Sequence, residues 1–292
     1  MASEFFIPIS FANELNLGID SIVTNYGDQL HRVSEIMLQY LLVPLEHFLQ
    51  SIPPWIILIL VGLTSYHALR RPGLSVTFVF ALYFIGCLGL WEKTIQTLNI
   101  MLVSIIICLV IGVPIGILMA RTKWLSRLLL PVLDVMQTFP MFVYMLPAVM
   151  LFSIGKVPAV MATVIYALPP LIRLTELGIN QVDEEAREAA WSFGTTRWQL
   201  LIWVQLPLAR PSIMAGINQT TMLALAMVVV ASMIGARGLG EDILHGLTNL
   251  DFGKGAHAGI AVVILAILID RVTQAYGMNR RQRAQINQGS QA

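Results

Sequence analysis

The sequence predicts an all-α membrane protein, a polytopic bundle of about seven transmembrane helices. Three observations predict it. Apolar residues make up 57% of the 292 and charged residues only 12%, with a mean hydropathy of +0.74; a soluble domain carries about 25% charged residues. The apolar runs are long and do not alternate, which selects helices over a closed barrel, the other architecture that lipid tolerates. The lysines and arginines fall mainly in alternate loops, as a chain weaving through a bilayer requires.

Composition also excludes several functions. A net charge of +1 gives no basis for nucleic-acid binding. Cys87 and Cys108 both lie in apolar runs and read as small buried hydrophobes, not as a disulfide or metal pair. No metal or cofactor is expected. The start MASEFFIPIS lacks a basic region and a long apolar run, so no cleavable signal is expected. No G-x-x-x-x-G-K-[ST] phosphate loop occurs, so the chain is not expected to be an enzyme hydrolysing ATP itself. No stretch outside the apolar runs is long enough for a soluble ligand-binding domain.

Along the chain, residues 1–54 form an amino-terminal extension. Leu30, Val33, Met37, Leu41, Leu45 and Phe48 recur at helical spacing, with Asp28, Arg32, Glu35, Gln39 and Glu46 between them. Two readings fit: an amphipathic helix lying on the outer membrane face, or a helix packed on the outside of the bundle. Residues 1–27 lack clear periodicity. Seven candidate spans follow, at about 55–69, 74–91, 96–119, 132–153, 157–178, 212–235 and 256–276. The first is short. Pro114, Pro140, Pro147 and Pro169-Pro170 interrupt later ones, which neighbouring helices can accommodate. A polar tail, 277–292, closes the chain and reads as disordered.

Seven spans place the two termini on opposite sides. One set of loops and the tail holds Arg70, Arg71, Arg121, Lys123, Arg127, Arg173, Arg187, Arg197, Arg210, Arg271, Arg280, Arg281 and Arg283, thirteen in all. The other holds five: Arg32, Lys93, Lys156, Arg237 and Lys254. The bias predicts an outside amino terminus and a cytoplasmic tail.

The same bias puts residues 184–211, EEAREAAWSFGTTRWQLLIWVQLPLARP, in the cytoplasm. Asp183, with Glu184 and Glu185 behind it, suits a helix start, and the alanines favour helix. Gly194 is a helix stop, and a second short helix is expected from Thr195 or Thr196 to Gln205, ended by Pro207. Glu188 can pair with a partner's cation, Ala189 and Ala190 allow close approach, and Trp191 and Trp198 offer apolar anchors. Composition alone fits an interfacial loop helix equally well.

This insert resembles the "EAA" coupling loop of bacterial ABC importer permeases: Glu-Ala-Ala, three residues, Gly, nine residues, Ile, one residue, Leu-Pro. Here the pattern falls on Glu188, Ala189, Ala190, Gly194, Val204, Leu206 and Pro207, with Val in place of Ile. Residues 216–247 and 250–274, with the QTFP turn Gln137–Pro140, resemble the glycine betaine/proline betaine/choline branch of those permeases. The likeness covers about 95–276, leaving 55–94 as peripheral helices around a core transmembrane domain. Where branch members often read Gly-Gly-Leu-Gly, Arg237 precedes Gly238-Leu239-Gly240. The resemblance implies a type I importer permease in the bacterial inner membrane, docked by its loop to an ATPase. The implied assembly is a homodimer of this chain, two ABC ATPase subunits carrying ATP and Mg, and a periplasmic or lipid-anchored substrate-binding protein.

Residues for a pathway are expected in the core. Asn218, Gln219, Thr220 and Thr221 are polar inside an apolar run; they either line a wet path or hydrogen-bond between helices. Gln137, Thr138, Phe139 and Pro140 break the fourth span, and Phe142 and Tyr144 with Phe139 are candidates for an aromatic cage around a quaternary ammonium. Gly235, Gly238 and Gly240 suit a tight or re-entrant segment at the outer mouth. Asp270-Arg271 reads as a structural ion pair or interfacial anchor. The other carboxylates of the spans, Asp134 and Glu176, also stand near span ends, and this scarcity argues against an ion-driven secondary transporter. A permease for another small solute, an amino acid or a sulfonate, is the nearer alternative.

Overall fold

The computed structural model describes residues 12–277, and every regular element among them is helical. α1 (Ala12–Ile36) continues through a π-helical turn, Met37–Leu42, into α2 (Val43–Ser51). Pro44 has no N–H for the carbonyl one turn back, and the widened turn ahead of it absorbs the mismatch. Leu42 is fully buried there and its carbonyl accepts Asn99 Nδ2 at 3.0 Å, while Glu46 pairs with Lys156. Residues 42–46 are thus tied to the bundle through Asn99 and Lys156; Leu17, Val23, Tyr26 and Val33 of the same arm stay exposed.

A 96° bend at Pro53-Pro54 leads into α3 (Pro54–Leu69), which pairs with α4 (Pro72–Cys87) and α13 (Phe252–Gly277). α3 and α4 have 16 residues each, about 24 Å at 1.5 Å per residue and short of a hydrocarbon core of about 30 Å. α5 (Trp91–Arg121), α8 (Lys156–Asn180) and α11 (Leu206–Val230) form the centre with α13. Between α5 and α8, α6 (Lys123–Thr138) and α7 (Met141–Phe152) meet at 99°. All seven expected spans therefore fall on helices, but the fourth is a bent pair, and among the described residues four helices are single, long and apolar enough to cross.

Contacts between ends fix the weave. Arg121 at the end of α5 donates to the Arg197 carbonyl, so α5 ends beside the insert. Gly155, after α7, donates to the Ile234 carbonyl beyond α11, so the bent pair reaches the opposite end. α8 returns to the insert, α11 leaves it, and α13 comes back, where Tyr276 meets His67 at the end of α3. Arg70, Arg121, Lys123, Arg187 and Arg197 share the insert's end, and Lys93, Lys156 and Lys254 the other. Arg280, Arg281, Arg283 and the rest of the tail past 277 lie outside the described residues, as do residues 1–11.

α8 is the most enclosed long helix because small residues bring it to backbone contact with both neighbours. A Cβ on Gly116 of α5 would stand 2.6 Å from Thr175 Cβ and 2.8 Å from the Ile172 carbonyl oxygen. One on Gly178 would stand 2.6 Å from Ser212 Cβ of α11. Three buried hydroxyls settle within their own helices, Thr94, Ser104 and Thr163 each donating to the carbonyl four residues back, whereas those of Thr175 and Thr220 are buried without a partner.

After a 3₁₀ turn, Ala231–Ile234, the chain doubles back as α12 (Leu239–Thr248) and packs along the start of α13. Ten residues make about 15 Å of helix, half a crossing, which is the short segment expected at Gly235, Gly238 and Gly240. Gly235 and Gly238 take positive φ, and a Cβ on Gly240 would lie 2.2 Å from the Val229 carbonyl oxygen. Thr97 Oγ1 accepts the Leu239 N–H at 2.9 Å. Asp242, its side chain 4% exposed, sits between Lys93 and Lys254, the latter at 3.4 Å.

Four expectations are corrected. Cys87 is exposed; only Cys108 is buried, and both are free thiols. Asp270 does not pair with Arg271: it accepts from Asn218 at 2.9 Å and Gln274 at 2.7 Å. Arg173, counted among the loop charges, stands inside α8. Pro207 does not end the second insert helix, since α10 (Arg197–Gln199) runs through a π-helical turn, Leu200–Gln205, directly into α11. The wider turn again precedes a proline and relieves its clash with the carbonyl behind.

Gly240→Ala is expected to destabilise the chain by about 1–3 kcal/mol, because a rigid carbonyl occupies the methyl's place. Thermal unfolding of the detergent-solubilised protein measures it, and an unchanged Tm would mean the α11–α12 contact yields freely.

Candidate functional site

Two places concentrate polar groups that the packing does not use: the insert and a cavity above it. The insert starts where Asp183 accepts the Glu185 N–H at 3.3 Å and begins α9 (Glu184–Ser192). α9 closes at Gly194, whose φ of +74° only glycine adopts without strain; its N–H reaches the Trp191 carbonyl at 2.8 Å. No atom stands within 4 Å of a Cβ built there, so the glycine serves the turn and not packing within the chain. Thr196 and Gln199 then form a reciprocal capping box that starts the next helix.

The result is a short helix hinged to a long one. Glu185, Glu188 and Ala189 are exposed and Ala190 is buried. Trp191, Trp198 and Phe193 are exposed, Phe193 by 89%. Leu206 is half-buried and Pro207 exposed on the long helix, with Val204 in the π-helical turn before them. Arg121 fastens the assembly to α5, donating to the Arg197 carbonyl at 2.9 Å and stacking its guanidinium 4.2 Å above the Trp198 ring. Three exposed aromatic residues, Trp191, Phe193 and Trp198, thus stand close in sequence to the exposed carboxylates Glu185 and Glu188.

Between α6, α8 and α11 lies a cavity of about 460 Å³. Its polar lining is Gln137, Arg173, Glu176, Asn180 and Gln219. Arg173 pairs with Asp134 of α6 through Nη2, while its Nε is buried without a partner. Glu176 is buried and accepts from Ser126. Glu176 and Asn180 also line a second cavity of about 290 Å³ that continues to Lys123 and Arg127 at the insert's end. The two cavities share Glu176 and Asn180 of α8 in their walls.

The remaining expected pathway residues divide. Gln137 and Gln219 come together on the cavity wall. Asn218, one residue before Gln219, turns to α13 and hydrogen-bonds Asp270 and Thr273. Thr221 donates to the Ile217 carbonyl and Thr220 is buried. Thr138 donates to the Val135 carbonyl at the bend, and Pro140 starts α7. Phe139 and Tyr144 lie 6.3 Å apart between ring centroids, and the third ring beside them is Tyr166, at 6.2 Å from Tyr144, while Phe142 points elsewhere and is exposed. None of these rings lines the cavity. Gly235, Gly238 and Gly240 stand at the far end with α12.

Reading the sequence missed Arg173, Asn180, Ser126 and Tyr166. Arg173 and Glu176 stand one helical turn apart on α8, so a charged pair on one face of an apolar helix was the available signal. Their partners Asp134 and Ser126 lie 39 and 50 positions away in sequence, a pairing that spacing does not reveal.

Comparison with known proteins adds four findings. A family profile described as the binding-protein-dependent transport system inner membrane component matches residues 112–281. The glycine betaine/proline betaine transport system permease protein ProW of Escherichia coli (strain K12) is 46% identical over 266 residues, covering 91% of this chain and 75% of that protein. The glycine betaine/carnitine transport permease protein GbuB of Listeria monocytogenes is 51% identical over 228 residues, covering 77% of this chain and 81% of its own length. Among solved structures, a chain of the MetNI methionine ABC transporter in an inward-facing conformation aligns with a TM-score of 0.57 at 23% identity, covering 63% of this chain and 94% of that chain. This last likeness concerns the fold alone.

Gly194→Ala is expected to strain the left-handed turn by about 1 kcal/mol without any clash. Because proteolysis follows the population of the open form, cleavage of the insert in the detergent-solubilised protein should rise about fivefold. An unchanged rate would mean that the turn tolerates the methyl.

Proposed function

We propose a function from the premise that this chain belongs to the family of binding-protein-dependent transport system inner membrane components. It is the permease subunit of an ATP-driven importer and conducts small quaternary ammonium solutes of the glycine betaine, proline betaine and choline kind. The names of its relatives support the substrate class. The observation that carries the mechanism is the continuity of α10, the π-helical turn and α11: one unbroken helix runs from the exposed insert to Gln219 on the cavity wall. From Arg197 to Gln219 it spans about 33 Å at 1.5 Å per residue.

Each part then has a physical task. α9, with Glu185, Glu188, Ala189, Ala190 and Gly194, docks on an ATPase subunit, the apolar anchors being Trp191, Phe193 and Trp198. ATP and Mg are held by that partner, and this chain carries no chemistry of its own. A push on α9 reaches α11 through the capped turn at Thr196 and reaches α5 through Arg121. Since α8 is wedged between α5 and α11, their displacement opens or closes the cavity. Alternating access by rigid-body motion is the general pattern of transporters. Two copies of this chain, two ATPase subunits and a periplasmic or lipid-anchored substrate-binding protein complete the assembly. The insert faces the cytoplasm and the amino terminus the exterior, in keeping with the sorting of basic residues. Gly235, Gly238 and Gly240 belong to the outer mouth.

Glu188→Lys and Gly194→Asp are expected to leave the permease inserted but to lower glycine betaine uptake at least tenfold, with loss of ATPase co-purification. Uptake at the wild-type rate in both would contradict the coupling role. Uptake that persists without any ATPase subunit would favour an ion-driven transporter instead.

A further inference from the structure

The cavity between α6, α8 and α11 carries an asymmetry that packing does not explain. Arg173 presents a planar fork of donors suited to a carboxylate in two-point contact. Asp134 takes one edge through Nη2, and the Nε of the same guanidinium is buried without a partner. The two partners are unequally held: the Asp134 side chain is 62% exposed and the Arg173 side chain 32%. Asp134 is therefore the more loosely held of the two, while Arg173 stays at the wall. A free carboxylate arriving in the cavity meets a guanidinium already committed to the same chemistry, so the exchange is close to even in energy. One turn along α8, Glu176 brings a buried carboxylate to the same wall, with Cβ atoms about 5–6 Å apart at that spacing. A cation and an anion at this separation match the ends of a short zwitterion in reverse order. The volume, about 460 Å³, lies in the range of small-molecule sites. No aromatic ring lines it, so a quaternary ammonium there feels a carboxylate and not a cation–π cage.

We propose that this cavity binds a zwitterionic solute transiently during passage, with Arg173 taking its carboxylate, Glu176 facing its cationic end, and Asp134 occupying Arg173 when no solute is present. The inference rests on the reading of the chain as a betaine permease and deepens it. Weak, exchanging contacts suit a conduit, because a path that bound tightly would release slowly. Glu176 and Asn180, shared with the second cavity, lead from this position toward Lys123 and Arg127. A cation without a carboxylate cannot displace Asp134, so the site favours zwitterions over simple quaternary amines.

The test uses the assembled complex in proteoliposomes, with radiolabelled glycine betaine as probe and receptor-stimulated ATP hydrolysis as the second readout. A merely structural ion pair predicts that Arg173→Gln and Asp134→Asn fail alike, since each breaks the same contact. The proposal predicts divergence: Arg173→Gln lowers uptake at least tenfold with ATP hydrolysis within about twofold of wild type, while Asp134→Asn keeps uptake within about threefold and lowers its KM. Equal losses, or wild-type uptake in both, would overturn it. If Arg173→Gln does not assemble, Arg173→Lys decides: it keeps the charge and loses the fork, so KM rises, and an unchanged KM would overturn the proposal. A wild-type complex that hydrolyses ATP yet takes up no glycine betaine would remove the substrate reading itself, an outcome distinct from variants that behave alike.

Discussion

Among the long helices the tightest packing is that of α8 against its two neighbours, and most of the rest follows from it. Gly116 meets the backbone of α8 at Ile172, Gly178 meets Ser212, and Gly216 faces Leu171 and Leu174. Lipid offers no hydrophobic gain for helix association, so van der Waals contact between small surfaces has to supply it. Three helices locked in this way leave little slack. A movement at the insert end of α11 must either shear past α8 or carry α8 with it. The charged face of α8, from Arg173 to Asn180, borders the two cavities, which Gln219 of α11 and Met119 and Ala120 of α5 also line.

Two prolines that look like helix breaks turn out to be joints in continuous helices. Pro44 and Pro207 are each preceded by a π-helical turn, which gives the chain an extra residue per turn where the proline ring would clash. Pro53-Pro54 and Pro140 have no such relief upstream, and there the chain bends by 96° and 99°. The difference is mechanical. A bend at Pro140 separates α6 from α7, whereas the joint at Pro207 keeps the insert rigidly in line with a core helix.

Much of this was legible in the residues. Long apolar runs located the helices of all seven expected spans, the Asp183, Gly194 and Thr196 signals framed the insert, and the glycines at 235–240 marked the doubled-back segment. What stayed hidden has a common cause: it depends on which faces meet. Asn218 and Gln219 are adjacent and equally polar, yet one reaches Asp270 and the other the cavity, because successive residues on a helix point 100° apart. The bend at Gln137–Pro140 was expected, but not its angle. Arg173 was counted as a loop charge, although it stands two turns inside α8 and finds Asp134 across a helix boundary. The arm before α3 was readable as amphipathic helix, while its attachment through Asn99 and Lys156 required partners more than 50 residues away.

At the end away from the insert, Asp242 is enclosed between two ammonium groups contributed by α5 and by α13. Mobile ions screen charges that stand in water far more than charges the protein covers. With its carboxylate almost wholly sheltered, this clasp keeps its strength as salinity climbs, where a clasp of open surface charges would slacken. The segment it holds is thus fastened by a contact that loses less to added salt than one between open surface charges would.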